Sequence, residues 1–106
     1  MTKKARARTE RREQARALEK VARDREKLAR LEAGGSPERP IRLESASQVE
    51  VHARSLPCTR CAAEPRVEEH LARVVDEQRL RLVRLACPMC GARREVWFRL
   101  EPQRPS

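Results

Sequence analysis

Two Cys-x-x-Cys pairs constrain this chain more than any other feature: Cys58-Thr-Arg-Cys61 and Cys87-Pro-Met-Cys90. Each pair lets two thiolates from one tight turn reach the same ion, and two pairs supply the four soft ligands of a closed tetrahedral zinc site. The pairs are separated by 25 residues, a little more than the roughly 15–20 of the commonest pattern. We predict one structural Zn²⁺ held by Cys58, Cys61, Cys87 and Cys90.

Other uses of four cysteines fit this sequence less well. Disulfides need an oxidising compartment, and the start Met1-Thr-Lys-Lys-Ala-Arg-Ala-Arg has no apolar segment of the kind that directs secretion. A thiol redox pair is one alternative to zinc. Iron held as in rubredoxin is another, but those proteins have aromatic cores, whereas this chain has one Trp, one Phe and no Tyr. We expect zinc and a cytoplasmic location.

Composition allows one small domain with appendages. Of 106 residues 39% are hydrophobic and 39% charged, and the mean hydropathy is −0.83, so much of the chain cannot be core. No stretch approaches the roughly 20 apolar residues of a membrane-spanning helix, and we expect no membrane association. A folded part of 45 residues, 56–100, is near the size at which burial of hydrophobic side chains alone no longer stabilises a fold. Structural zinc would supply on the order of 10–16 kcal/mol of apparent free energy.

The net charge of +9 is concentrated near the N-terminus. Residues 1–33 hold 12 Lys and Arg against 6 acidic residues, whereas residues 34–106 hold 13 Arg against 10. A basic segment is attracted to polyanions and releases counterions from nucleic-acid phosphates. An equally open alternative is a helix kept soluble by its charges. The residues predicted to contact phosphates in this segment are Lys3, Lys4, Arg6, Arg8, Arg11 and Arg12.

Residues 1–33 are predicted to form one long basic helix. From residue 3 to 33 the chain lacks Gly and Pro and is dominated by good helix formers. The run Gly34-Gly35-Ser36-Pro37 predicts where the helix ends. Its apolar stripe is narrow and interrupted by Asp24, so we expect no firm coiled coil. The stripe, a candidate surface for a partner, consists of Ala17, Val21, Leu28 and Leu31.

The rest of the chain divides into four predicted segments. Residues 34–40 form a Gly/Pro linker, and 41–55 an extended segment in which Ile41 and Leu43, then Val49, Val51 and Ala53, alternate as in short strands. Residues 56–100 form the metal domain, and 101–106 a disordered tail. The segment between the cysteine pairs fits two structures: a helix after Pro65, or a hairpin of strands 67–75 and 79–86. We favour the hairpin, because the return strand must end at Cys87. A last strand covers residues 94–100.

These residues resemble a known family. The knuckle Leu56-Pro57-Cys58-Thr-Arg-Cys61, a hairpin, then Cys87-Pro88-Met-Cys90-Gly91 and a strand are similar to a zinc ribbon over residues 56–100. The resemblance implies a zinc-stabilised antiparallel sheet of about three strands, here preceded by a long N-terminal helix. The first knuckle departs from it, with Ala62-Ala63 where many ribbons carry Gly, so we expect a looser or differently shaped turn. Ribbons serve nucleic-acid machines and also act as docking modules, so the family narrows the fold more than the function.

The last strand carries the one Trp of the chain. Alternation places Val96, Phe98 and Leu100 on a buried face and Trp97 on a charged face. Single-stranded nucleic-acid binders use an aromatic residue among arginines for base stacking and phosphate contact. Alternatively, residues 41–54 cover Trp97 as the second half of a small core. The residues of this domain predicted to bind nucleic acid are Arg79, Arg81, Arg84, Arg93, Arg94, Trp97 and Arg99.

Nothing in the sequence indicates catalysis. His52 and His70 lie away from the knuckles and are expected to be surface or sheet residues. Neither a nucleophile nor a Gly-rich phosphate loop accompanies them. We expect no enzyme and no small-molecule substrate. Two functions remain: a nucleic-acid-associated zinc protein, and a protein-interaction adaptor that docks onto a larger complex through the helix stripe and the ribbon.

Overall fold

A computed structural model describes residues 3–101 of the chain. The elements are helix α1 (Lys3–Leu31), strand β1 (Ile41–Leu43), helix α2 (Ser47–Arg54) and strands β2 (Arg66–Val75), β3 (Gln78–Ala86) and β4 (Arg93–Leu100). Residues 34–101 are termed the sheet domain. The predicted disordered tail, 101–106, lies outside the described residues apart from Glu101. No helix within residues 3–101 is long and apolar enough to cross a bilayer.

The end of α1 is tied to the edge of the sheet. Gly34 has a φ of 89°, a left-handed conformation that glycine adopts without steric cost and that commonly follows a helix. Its carbonyl accepts a hydrogen bond of 2.8 Å from the backbone N–H of Trp97 in β4. The Arg39 side chain donates to the Leu31 carbonyl at 2.8 Å, which satisfies one of the free carbonyls at the helix end. Residues from both ends of the linker therefore hold the helix end in place.

Strands β2 and β3 form the hairpin that the sequence favours over a helix. They pair antiparallel from Arg66 opposite Ala86 to Val75 opposite Gln78. The turn consists of Asp76 and Glu77, both left-handed with φ of 48° and 66°, as two-residue hairpin turns with the twist of the strands require. This hairpin returns the chain to the second cysteine pair.

The strand predicted at Val49, Val51 and Ala53 is wrong, because these residues form α2. Val49 and Ala53 are fully buried against the sheet, whereas Val51 is 61% exposed. Residues 49 and 53 lie one helical turn apart, so the same apolar residues fit a helix that buries one side. The core beneath α2 contains Val83, Leu85, Val96 and Phe98.

The sheet also differs from the predicted three antiparallel strands. It has four strands in the order β1-β4-β3-β2, and β1 lies parallel to β4 with Ile41 opposite Phe98. The β4–β3 and β3–β2 pairs are antiparallel. Ile41 and Leu43 pack against the core, and the Glu101 N–H donates to the Leu43 carbonyl at 2.7 Å. Burial of these two side chains explains why β1 joins the sheet.

Candidate metal centre

The four cysteines lie together at one end of the sheet. All four Sγ atoms are within 4.8 Å of one another, with 3.6 Å between Cys58 and Cys90 and 3.3 Å between Cys61 and Cys87. Thiolates at a Zn–S distance of about 2.3 Å would stand about 3.8 Å apart in a tetrahedron. Four soft donors at this spacing fit a single zinc-type ion. They also fill its coordination sphere.

The two knuckles have the same backbone hydrogen bonds. In the first, the Cys58 N–H donates to the Ala63 carbonyl and the Ala62 N–H to the Cys58 carbonyl, both at 2.9 Å. The second repeats these bonds at 2.8 and 2.9 Å, through Cys87, Ala92 and Gly91. Ala62 is left-handed with φ of 62°, and Gly91 at the matching position has φ of 75°. The expectation of a differently shaped first turn is therefore wrong, because Ala62 adopts the conformation usually left to glycine.

The surroundings of the two knuckles shift the thiol pKa values of Cys87 and Cys61 in opposite directions. Backbone N–H groups of Cys90 and then Met89 donate to the Cys87 sulfur and lower the pKa of its thiol to about 6. The Ala63 backbone lowers the pKa of Cys61, but the neighbouring Cys87 and burial outweigh it and raise that pKa to about 12. A metal ion must displace the protons that the cluster retains, so its binding weakens as the pH falls.

Arg60, inside the first knuckle, joins the metal centre to α1. Its guanidinium donates to the Glu19 carboxylate at 3.2 and 3.3 Å and also to the Glu26 carboxylate. The hydrogen bonds that Arg60 donates to Glu26 and Glu19 raise its pKa. The two acids are seven residues apart and share one side of the helix. The seven-residue spacing of the two acids was the only sequence feature that bears on this contact, and it did not identify Arg60 as their partner.

The predicted partner stripe of α1 lies away from this attachment. Ala29 is the buried residue of the helix, whereas Val21, Leu28 and Leu31 are 46%, 58% and 64% exposed. Ala17 is exposed as well. The stripe does not hold α1 against the sheet domain, and its apolar side chains remain in water.

Three predicted phosphate-contacting arginines of the sheet domain are already paired with acids. Arg84 lies 3.1 Å from Glu69 and 3.4 Å from Glu95, and Glu69 raises the pKa of Arg84. The other two pairs are at 3.6 and 3.4 Å and join Arg93 to Glu68 and Arg99 to Glu101. These ion pairs reduce the positive potential that the sequence suggested for this face.

The structure does not bring the predicted nucleic-acid residues of the sheet domain into one patch. Arg79 and Arg81 lie near the hairpin turn, whereas Arg94 lies near the knuckles, where burial lowers its pKa. Trp97 faces the end of α1 and lines a cavity with Ala29. The alternative in which residues 41–54 cover Trp97 is wrong, because α2 packs on the opposite face of the sheet.

The six basic residues at the start of α1 are accessible. They occupy the first three turns of the helix, and all are exposed: Lys3, Lys4, Arg6, Arg8, Arg11 and Arg12. Within residues 3–101 none of the six forms an ion pair. Four of them, at positions 4, 8, 11 and 12, share one side of the helix.

Both histidines lie outside the metal centre. His52 of α2 contacts Phe98 edge-on, with 5.8 Å between ring centroids. His70 of β2 lies beneath α2, with its Nδ1 3.7 Å from a Glu50 carboxylate oxygen.

No family model, curated protein or solved structure matches this chain. The chain itself shows a long N-terminal helix, a four-stranded mixed sheet and four cysteines placed to bind one metal ion.

Proposed function

We propose that this chain is a non-catalytic zinc protein of the zinc-ribbon type that binds nucleic-acid phosphates through the start of α1. Four cysteine ligands leave no coordination position for a substrate, which supports a structural role for the metal. A cytoplasmic location, where thiols stay reduced, suits the four free cysteines.

The observation that carries the proposal is the projecting, unpaired basic part of α1. Among the hydrogen bonds and ion pairs described, the most N-terminal link between α1 and the sheet domain is that of Glu19 with Arg60. Residues 3–18 precede it, roughly 24 Å of helix at 1.5 Å per residue. The molecule extends 74 Å along its longest axis but only 24 and 22 Å along the others. The basic segment is thus presented as an arm.

The arm has a preferred side. Lys4, Arg8, Arg11 and Arg12 lie on the same side of α1 as the two carboxylates that hold Arg60, as helical periodicity requires. A strand that follows these four cations along the helix would reach the first knuckle. Because acids already pair with several arginines of the sheet domain, the arm supplies most of the phosphate contacts in this proposal.

Binding of the zinc-loaded protein to single-stranded and duplex oligonucleotides across a salt series tests the proposal. Four phosphate contacts along this side predict a slope of log affinity against log salt of about −3 for single strands. A variant with Lys4, Arg8, Arg11 and Arg12 changed to Gln should lose about tenfold or more in affinity and most of that slope.

The matched control removes four exposed arginines of the sheet domain that lie outside its predicted nucleic-acid residues, and lowers the net charge equally: Arg42, Arg54, Arg66 and Arg73 changed to Gln. It should bind within about threefold of the parent, since long-range attraction is screened at physiological salt. Equal losses in the two variants would contradict the arm as the binding element.

A second candidate is a protein-interaction adaptor, favoured by the exposed apolar stripe. Leu18, beside the stripe, is 72% exposed, and Leu28 and Leu31 are more than half exposed. Docking through these side chains would respond little to salt. It would be abolished by Val21→Asp or Leu28→Asp, changes that leave the basic arm intact. Salt-insensitive binding to a protein that is lost in these variants would favour the adaptor.

A further inference from the structure

A cavity of about 340 Å³ separates the last turns of α1 from β4. Its wall includes Trp97, Arg94 and Glu95 from β4, and Glu26, Ala29 and Arg30 from α1. Thr59 of the first knuckle also contributes to the wall. This volume lies at the lower end of the range of small-molecule sites, roughly 300–1,000 Å³. The cavity therefore suits a ligand the size of one nucleotide rather than a longer segment.

Trp97 gives the cavity an aromatic wall that is held in position. Its backbone N–H donates to the Gly34 carbonyl at 2.8 Å, and Leu82 lies directly opposite it in β3, 3% exposed. Cross-strand neighbours on one face of a sheet pack side by side. The Trp97 side chain is partly exposed, so it is available to a flat ligand.

The charges of the cavity favour an anion. Both of its carboxylates are already paired with arginines outside its wall, Glu26 with Arg60 and Glu95 with Arg84. Arg30 and Arg94 of the wall form no ion pair among the described residues. Arg94 is half-buried, and a bound phosphate would offset the cost of removing its guanidinium from water, whereas Arg30 is exposed and free to bind the same phosphate.

We propose that this cavity binds one nucleotide of a nucleic-acid strand, with the base stacked on Trp97 and the phosphate bound by Arg30 and Arg94. The inference rests on the proposed nucleic-acid function and adds base recognition to phosphate binding by the arm. Stacking on one aromatic ring tolerates any base, so the cavity selects unpaired nucleotides rather than a sequence. A free mononucleotide offers the same chemistry, and the test separates the two sources.

Intrinsic fluorescence of the zinc-loaded protein reads this cavity directly, because the chain has one Trp and no Tyr. A single strand of twelve deoxythymidines (dT12) should change the Trp97 emission in a saturable titration. An abasic strand of the same length and charge should bind at least fivefold more weakly, since stacking is lost, and leave the emission unchanged. Binding of dT12 without any change in Trp97 emission would overturn the cavity proposal and leave the arm proposal standing.

Mononucleotide and phosphate titrations identify the source of the ligand. For a strand-bound nucleotide, dTMP should act only at far higher concentration than dT12, and inorganic phosphate should leave the emission unchanged. A dTMP affinity equal to that of dT12 would overturn the strand as the ligand. Failure of every oligonucleotide to bind would overturn the proposed function together with this inference.

Arg30→Gln provides the variant test, with Arg23→Gln, on the same helix but outside the cavity wall, as its matched control. Both residues are exposed, so neither change threatens the fold. Arg30→Gln should reduce dT12 affinity several-fold more than Arg23→Gln does and diminish the emission change. Trp97→Leu should bring the affinities for dT12 and the abasic strand to within about twofold of each other. Equal effects of Arg30→Gln and Arg23→Gln would contradict the phosphate assignment.

Discussion

The two knuckles of the metal centre share their backbone but differ in everything around it. Both make the same pair of hydrogen bonds, and both place one residue in the left-handed region. In the first knuckle that residue is Ala62, and Arg60 joins the turn to α1. In the second it is Gly91, and Met89 is 79% exposed. The convergence of two thiols from each turn on one cluster accounts for what the knuckles share, whereas their other residues determine what each contacts.

The largest effect is expected when one of the four metal-binding thiolates is removed from either knuckle. Cys87→Ser leaves three thiolates and should abolish tight zinc binding and unfold residues 56–100, because folding of so small a domain is coupled to the metal. Zinc content and the far-ultraviolet circular dichroism of the sheet report the change. Met89→Ser, in the same knuckle, should retain both. Sheet signal that survives Cys87→Ser and a chelator would contradict a structural metal.

Gly91→Ala tests the backbone of the second knuckle. A Cβ at this position would meet no atom within 4 Å, so the substitution probes only the left-handed φ of 75°. We expect the zinc-loaded protein to lose about 1–2 kcal/mol of unfolding free energy, measured by urea denaturation. An unchanged midpoint would indicate that the second turn does not hold this conformation.

Ala62→Gly is the reciprocal change in the first knuckle and should have the opposite sign. Glycine relieves the strain of Ala62 at φ of 62° but costs more backbone entropy, so the expected gain is smaller, about 0.5–1 kcal/mol. The same urea measurement applies. Destabilisation by Ala62→Gly would show that the two turns are not equivalent.

The smallest effect on unfolding free energy is expected from a change of Arg60, the side chain that links the first knuckle to α1. Arg60→Gln removes partly exposed ion pairs, which contribute little to unfolding free energy. It should nevertheless free α1, so amide hydrogen exchange across residues 19–29 should accelerate while exchange in the sheet stays unchanged. Met89→Gln, which changes the matching position of the second knuckle, should leave α1 exchange as it was. Equal α1 exchange in the two variants would mean that Arg60 does not hold the helix.

The sequence was sufficient for features determined by local spacing or by chain connectivity. Two Cys-x-x-Cys turns bring their four thiols into one cluster, and a strand that must end at Cys87 requires a hairpin before it. The helix α2 was missed because Val49, Val51 and Ala53 fit alternation and helical spacing equally well over so few residues. The parallel pairing of β1 was missed because a three-residue strand carries no signal of its direction.

The attachment of α1 could not be read from the sequence for a different reason. Arg60 is 34 and 41 residues away from its two carboxylates, and each of those also has an arginine four positions further along the helix. Local helical pairs therefore explained the acids completely. The long-range partner emerges only once the knuckle and the helix are placed side by side.

This attachment also changes what a salt titration measures. The side chains of Arg60, Glu19 and Glu26 are 31%, 49% and 28% exposed, so dissolved ions reach and screen them. Rising salt will weaken the ion pairs between the helix and the knuckle over the same range in which the proposed phosphate binding would weaken. The salt slope of the proposed nucleic-acid binding would then combine ions released at the nucleic acid with ions taken up by the separated carboxylates and guanidinium. The difference in slope between the parent and Arg60→Gln isolates the second contribution. The strength with which α1 is held against the first knuckle therefore depends on ionic strength.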